Sequence, residues 1–222
     1  EAAKSLGISV TNTPDAPTAP VAELTLGMIL SLLRRVHVSD ASIRAGGWVR
    51  PMGNLLWGKT VGIIGCGRIG SELARYLQAF ECRVLGADPA CQSHEDIVLA
   101  GMQDLLKDSD IVSLHLSYSD QTHHFMNQAR ISRMKPGSYL INAARGGLVD
   151  EQALYQALAS EHLAGAALDC FEYEPYAGPL TKLNNVLLTA HIGSYAREAR
   201  VMMETQAVNN LIAQLNEQGV LE

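Results

Sequence analysis

The sequence predicts an α/β fold: a doubly wound parallel sheet with helices on both faces. Three observations predict it. The glycines of Gly65-x-Gly67-x-x-Gly70 join an apolar, mostly β-branched run, Val61 to Ile64, to a helix-like segment. From there onward, strand-like and helix-like segments alternate, which calls for parallel strands joined by crossover helices. Finally, Asp88 closes a second apolar strand about 20 residues beyond the glycines, where a dinucleotide fold places its ribose-binding acid.

The elements follow in order. Ala2 to Leu6 is helix-like, and Gly7 to Thr11 is strand-like. Residues 11–17, with two prolines, form a connector, and Pro20 suits a helix start. Apolar residues from Leu24 to Val36 recur at helical spacing and predict one long amphipathic helix from Val21 to about Ala45, stopped by Gly46-Gly47. An irregular loop, 48–58, leads into the glycine strand. The helix after it runs from Ile69 to Leu77, and its amino-terminal N–H groups suit a pyrophosphate. Arg83 to Ala87 is a strand, Met102 to Leu106 a short helix, and Ile111 to Leu116 a strand. Gln121 to Met134 reads as helical in two pieces. Ser138 to Asn142 is a strand, Asp150 caps a helix over Glu151 to Ala159, and Gly165 to Asp169 and Asn185 to Thr189 are strands. A last amphipathic helix runs from Ala196 to about Gln218.

The chain has 222 residues, 47% hydrophobic and 18% charged, with a net charge of -6. That allows one large or two small domains with a substantial core. An acidic chain without a basic stripe is not expected to bind nucleic acid, and no apolar run is long enough to predict a membrane span. Four cysteines without a C-x-x-C pair, and an opening Glu1-Ala2-Ala3-Lys4 without an apolar leader core, set the expectation of free thiols in a reducing cytoplasm. The chain also enters mid-pattern, so residues are expected to precede Glu1.

In such sheets ligands bind outside the carboxyl ends of the strands. That rule selects His115, then Asn142, Ala143, Ala144 and Arg145, then Asp169, and finally His191. Gly65, Gly67, Arg68, Ile69 and Gly70 form the phosphate turn. Asp88 would accept from ribose hydroxyls and repel a 2′-phosphate, and no arginine follows it directly, so NAD is expected rather than NADP. Arg145, between a strand and two glycines, suits a bidentate grip on a carboxylate. His191, at a strand end before a glycine, suits proton transfer if a carboxylate such as Glu174 supports it. Glu172 reads as a solvated loop acid. His123-His124 is not expected to hold a metal, because neighbours on a helix point apart and no cysteine or acid completes a set.

These motifs resemble the D-isomer-specific 2-hydroxyacid dehydrogenases over nearly the whole chain. The likeness is carried by Val21-Ala22-Glu23, Gly65 to Gly70 with Asp88, Asn142 to Asp150, Ala167 to Asp169 through Glu174-Pro175, and His191-Ile192-Gly193. The resemblance implies that Arg145 binds the substrate carboxylate, that His191 is the general acid or base, and that Glu174 supports it. It further implies that Asp169 holds the nicotinamide carboxamide and that His115 to Ser117 flank the adenosine. It also implies domains: 1–18 as the end of a flavodoxin-like substrate domain, 19–192 as a Rossmann NAD-binding domain with a dimerisation helix, and 193–222 as a helix crossing to the substrate domain. A homodimer acting on a small 2-hydroxyacid or 2-ketoacid is implied, phosphoglycerate dehydrogenase-like first. Glyoxylate or hydroxypyruvate reductase, phosphite dehydrogenase and an NADH-sensing corepressor are the alternatives. Ser117-Tyr118 departs from the Pro-Leu that many members carry.

Overall fold

In the computed structural model, which describes residues 2–219, seven strands form one sheet in which every neighbouring pair is parallel. They are β1 (Thr60–Ile64), β2 (Arg83–Ala87), β3 (Val98–Leu99), β4 (Ile111–Leu114), β5 (Ser138–Asn142), β6 (Leu163–Leu168) and β7 (Val186–Leu188), in the order β3-β2-β1-β4-β5-β6-β7. The order reverses between β1 and β4, and the crevice at the carboxyl ends of these two strands is the switch point where such sheets take ligands.

Both faces are covered. On one, α2 (Thr18–Leu33) and α4 (Arg68–Gln78) bury Met28, Ile29, Leu32, Leu73 and Leu77 against Val61, Ile63 and Ile111. On the other, α5 (Met102–Asp108) and α7 (Glu151–Ala159) bury Leu105, Leu106, Leu154 and Leu158 against Ile64, Val112 and Leu140. Strands buried on both sides need near-continuous apolar runs rather than alternation; β1 has one after Thr60, and β4 breaks its run only at the buried Ser113. The Asp150 side chain accepts from Ala153 N–H and caps α7 as the sequence implies.

Three expectations are corrected. The long helix breaks: α2 ends at Leu33, Arg35 takes a left-handed φ of 52°, and α3 (Val36–Arg44) leaves in a new direction with no buried residue. The reason is local. Asn54 N–H donates to the Leu33 carbonyl at 2.8 Å, and the glycine before it lies so close that a Cβ on Gly53 would stand 2.6 Å from that oxygen. The loop therefore occupies the place of the next helical turn.

Residues 121–124 form a turn instead of a helix, and only α6 (Gln128–Ile131) is helical between Gln121 and Met134. His124 N–H donates to Gly147 O at 2.7 Å and Met126 N–H to Leu148 O at 2.8 Å, so this backbone bonds sideways to 147–149. Residues 8–13 form no strand; Ile8 and Val10 are exposed, and no sheet edge lies beside them. The short β3 was not anticipated, since two residues give no periodic signal.

The chain's first helix is α1 (Ala2–Ser5), and its last, α8 (Arg197–Glu217), buries only Ala199. Asn210 Nδ2 donates to Asn12 O at 2.8 Å and ties α8 to the connector. The expected segment 193–222 is described to residue 219. Among the described residues no helix is long and apolar enough to cross a membrane.

Leu77 is fully buried between α4 and the sheet. Leu77→Ala is expected to lower the unfolding free energy by about 2–5 kcal/mol, read from the urea midpoint. A loss well under about 1 kcal/mol would contradict this packing.

Candidate active site

Strand ends along the carboxyl edge open into a cavity of about 630 Å³. Its walls include Ile69, His115, Leu116, Ser117, Ala143, Arg145, Asp169, His191 and Gly193. Nine of the sequence-selected residues are thus brought to one space. Gly65, Gly67, Arg68, Gly70 and Asp88 sit in the adjoining turn and strand end. Glu174 shares a second cavity of about 630 Å³ with His191.

The phosphate turn has the shape that its glycines permit. Gly65 has φ +98°, and a Cβ on it would stand 2.7 Å from the His115 carbonyl oxygen, so β1 and β4 meet here backbone to backbone. A Cβ on Gly67 would meet nothing, which leaves open space at the start of α4. No side chain caps that helix, so its first-turn N–H groups and positive dipole end remain available to an anion. These features fit a dinucleotide's pyrophosphate. The Arg68 guanidinium is paired with Asp15 at 2.8 Å, so Arg68 offers the turn its backbone.

Asp88 ends up beside this turn, as its spacing suggests. Its Oδ2 accepts from Cys66 N–H at 2.9 Å and its Oδ1 from Ala90 N–H at 2.8 Å. A carboxylate retains further acceptor sites beyond these two. Burial pushes the Cys66 thiol up to about 12, so it fills space as a neutral group.

Asn142 builds the Arg145 loop. Fully buried at the end of β5, its Nδ2 donates to Arg145 O at 2.9 Å and its Oδ1 accepts from Ala144 N–H at 3.1 Å. The loop then passes Gly146, where a Cβ would collide with the Phe171 carbonyl group. Arg145 is exposed and makes no ion pair among the described residues; Nη1 donates to Ala144 O at 2.6 Å. The rest of its fork is free for a carboxylate.

Asp169 does more than the resemblance implies. At 1% exposure, its Oδ1 accepts from Thr189 Oγ1 at 2.6 Å and Ile192 N–H at 2.8 Å, and its Oδ2 from Gly193 N–H at 2.8 Å. It therefore clamps the turn that carries His191, whose φ of 55° is left-handed. Such a conformation in a residue with a Cβ persists only when its surroundings fix it. Thr189 and Asn142 carry these roles without any sequence signal that separates them from other strand-end polar residues.

His191 Nδ1 lies 3.1 Å from Glu174 Oε1 and 3.0 Å from Oε2. The His191 ring, followed by the Phe171 N–H at 3.0 Å, holds the Glu174 carboxyl below the usual carboxylate range. A carboxylate against Nδ1 orients the ring and leaves Nε2 as the nitrogen that can face the cavity. An arginine fork, a supported imidazole and an anion-binding turn around one cavity suit carbonyl reduction next to a carboxylate.

Comparison with known proteins agrees with this chemistry. Residues 26–193 match the profile described as "D-isomer specific 2-hydroxyacid dehydrogenase, NAD binding domain". A glyoxylate reductase from Thermofilum pendens is 44% identical over 94% of this chain and 66% of its own length. A crystal structure of a glyoxylate reductase from "Paecilomyes thermophila" superposes with a TM-score of 0.92 at 34% identity, over 100% of this chain and 69% of that one. A D-lactate dehydrogenase from Aquifex aeolicus, crystallised with NAD and lactic acid, superposes with a TM-score of 0.86 at 34% identity, over 99% and 72%. The chain thus spans about two thirds of the length of its relatives.

Burial pushes the His115 imidazole down from 6.5 to about 4, while Ser113 Oγ lies 2.9 Å from its Nε2. The ring is neutral in the fold at neutral pH. Its contribution to stability is present above pH 6.5 and is lost as pH falls through about 4. The urea midpoint is expected to drop across that window, and less so in His115→Gln. An identical drop in the variant would assign the acid sensitivity to other groups.

Proposed function

The chain belongs to the D-isomer-specific 2-hydroxyacid dehydrogenase family, and from that premise we propose that it serves a dehydrogenase interconverting a small 2-ketoacid and its D-2-hydroxyacid with NAD. When bound, NAD donates or accepts the hydride. Gly65, Gly67 and Gly70, with the backbone of Arg68 and Ile69, hold the pyrophosphate. Asp88 holds the adenosine ribose, and His115 to Ser117 flank it. Ala143, Asp169 and Gly193 line the nicotinamide end.

The residue chemistry follows. Arg145 grips the substrate carboxylate and polarises the carbonyl next to it. His191 gives its proton to the carbonyl oxygen as that carbon gains a hydride, so C=O becomes CH–OH. In the other direction it takes the hydroxyl proton. Glu174 stays ionised and stabilises the protonated ring. The 3.0 Å contact of His191 with Glu174 over the Arg145 cavity is the observation that carries this reading.

For the substrate, glyoxylate or hydroxypyruvate now stands ahead of 3-phosphohydroxypyruvate. Two observations favour the small acids. Arg145 is the only lysine or arginine among the described residues lining the cavity, so no second permanent cation there suits a substrate phosphate. The Thermofilum pendens relative is named a glyoxylate reductase. The acidic NADH-sensing alternative keeps the same cofactor site but needs no turnover.

A homodimer is also proposed, with a second copy covering α3 and the loop after it. Trp48 (79% exposed), Met52 (90%) and Trp57 (61%) are exposed in that stretch, as are Val36, Ile43 and Leu55, and exposed large apolar side chains of this kind suit an interface. Sedimentation equilibrium at micromolar concentration should give twice the chain mass; a monomer alone would remove the proposal.

NADH oxidation should be followed with glyoxylate, hydroxypyruvate and 3-phosphohydroxypyruvate. The expected order of kcat/KM places glyoxylate or hydroxypyruvate first. His191→Ala should lower kcat by about 100-fold or more while sparing NADH binding. Glu174→Gln should lower kcat for reduction while sparing NADH binding, because the ring loses its carboxylate support. No turnover on any acid, with NADH still bound, would favour the sensor reading.

A further inference from the structure

Three ligating side chains meet outside the two cavities of the proposed active site. His123 and His124 sit in the 121–124 turn, and Glu172 in the loop between Asp169 and Glu174. Each offers one ligand atom, and the three atoms all lie within 4.8 Å of one another. The turn explains the meeting. On a helix, consecutive side chains point apart. Here His124 has a left-handed φ of 47°, and its ring stacks on that of His123 at 3.9 Å between centroids with planes 23° apart. The turn therefore brings the two imidazoles side by side.

The cluster is held from three sides. His124 Nε2 lies 3.2 Å from Glu172 Oε2. The Glu172 N–H donates to Glu151 Oε1 at 2.9 Å, and the His124 N–H to Gly147 O. Tyr118 Oη lies 3.2 Å from His123 Nδ1 and orients that ring. Two ligands about a tetrahedral zinc stand ~3.4 Å apart; stacked rings do not aim their lone pairs at one point, so binding requires the exposed His123 ring to turn out of the stack. Two imidazoles and one carboxylate select a borderline divalent ion, Zn²⁺ or Ni²⁺, over the oxygen-seeking Mg²⁺ and Ca²⁺.

We propose that His123, His124 and Glu172 form a binding site for a divalent ion of the Zn²⁺ or Ni²⁺ class, with water in the fourth position. The bound ion ties the 121–124 turn to the loop that carries Glu174. It thus staples the turn after Tyr118, a wall of the proposed active site, to the loop that leads to Glu174.

The test is calorimetric titration of the untagged chain with Zn²⁺ and with Ni²⁺, beside His123→Ala and Glu172→Gln. Circular dichroism checks that both variants fold, and the exposure of His123 makes its variant the safer one. The expected result is saturable binding of one ion per chain, weakened roughly tenfold or more in each variant. No saturable binding to the parent chain, or undiminished binding in either folded variant, would overturn the site.

Discussion

Backbone lying against backbone at the carboxyl edge of the sheet is the constraint on which the rest of this molecule depends. Gly65 rests on the carbonyl of His115, and Gly146 on the carbonyl of Phe171. At both places a single added carbon has nowhere to go. The first contact draws β1 and β4 together at the switch point. The second draws the Arg145 loop down onto the loop that leads to Glu174. Neither glycine takes part in chemistry, yet the positions of the groups that would do so follow from them. A parallel sheet delivers all of its strand ends to one edge, and close approach there turns an edge into a cavity.

Two buried polar side chains then fix what the glycines allow. Asn142 and Asp169 stand at the ends of neighbouring strands, paired residue for residue at Asn142 and Leu168. Each directs its hydrogen bonds into the loop beyond it, Asn142 toward Arg145 and Asp169 toward His191. An unpaired buried carboxylate would be costly. Asp169 avoids that by accepting three hydrogen bonds, and the loop gains a single conformation. The strained backbone of His191 is the visible result.

Much of this was legible in the sequence. Alternation of apolar strands and helices gave the sheet, because strands covered on both faces need continuous apolar runs. The glycine spacing and Asp88 located the cofactor turn, because only certain backbones admit a phosphate. Strand-end position singled out His115, Arg145 and His191, which line one cavity. What was not legible depended on contacts distant in the chain. The break at Arg35 is set by Asn54, which no helical periodicity contains. Residues 121–126 read as helical, but the His124 and Met126 N–H groups bond to Gly147 and Leu148. That reading also hid the stacking of His123 and His124, since it placed the two rings on opposite sides. For Asp169 the position was legible, whereas its hold on the His191 turn was not: a hydrogen bond to a turn more than twenty residues away leaves no local pattern.

The last helix has a further consequence. α8 buries one residue of its own, yet Met203 from it forms a wall of the cavity. Protection against hydrogen exchange tracks buried contacts. The amides of α8 should therefore exchange through local opening, well before those of β1 or β4. Two free energies are separate in this chain: one keeps the sheet folded, the other keeps the cavity closed on that side. Occupancy of the cavity would draw on the second while leaving the first almost untouched.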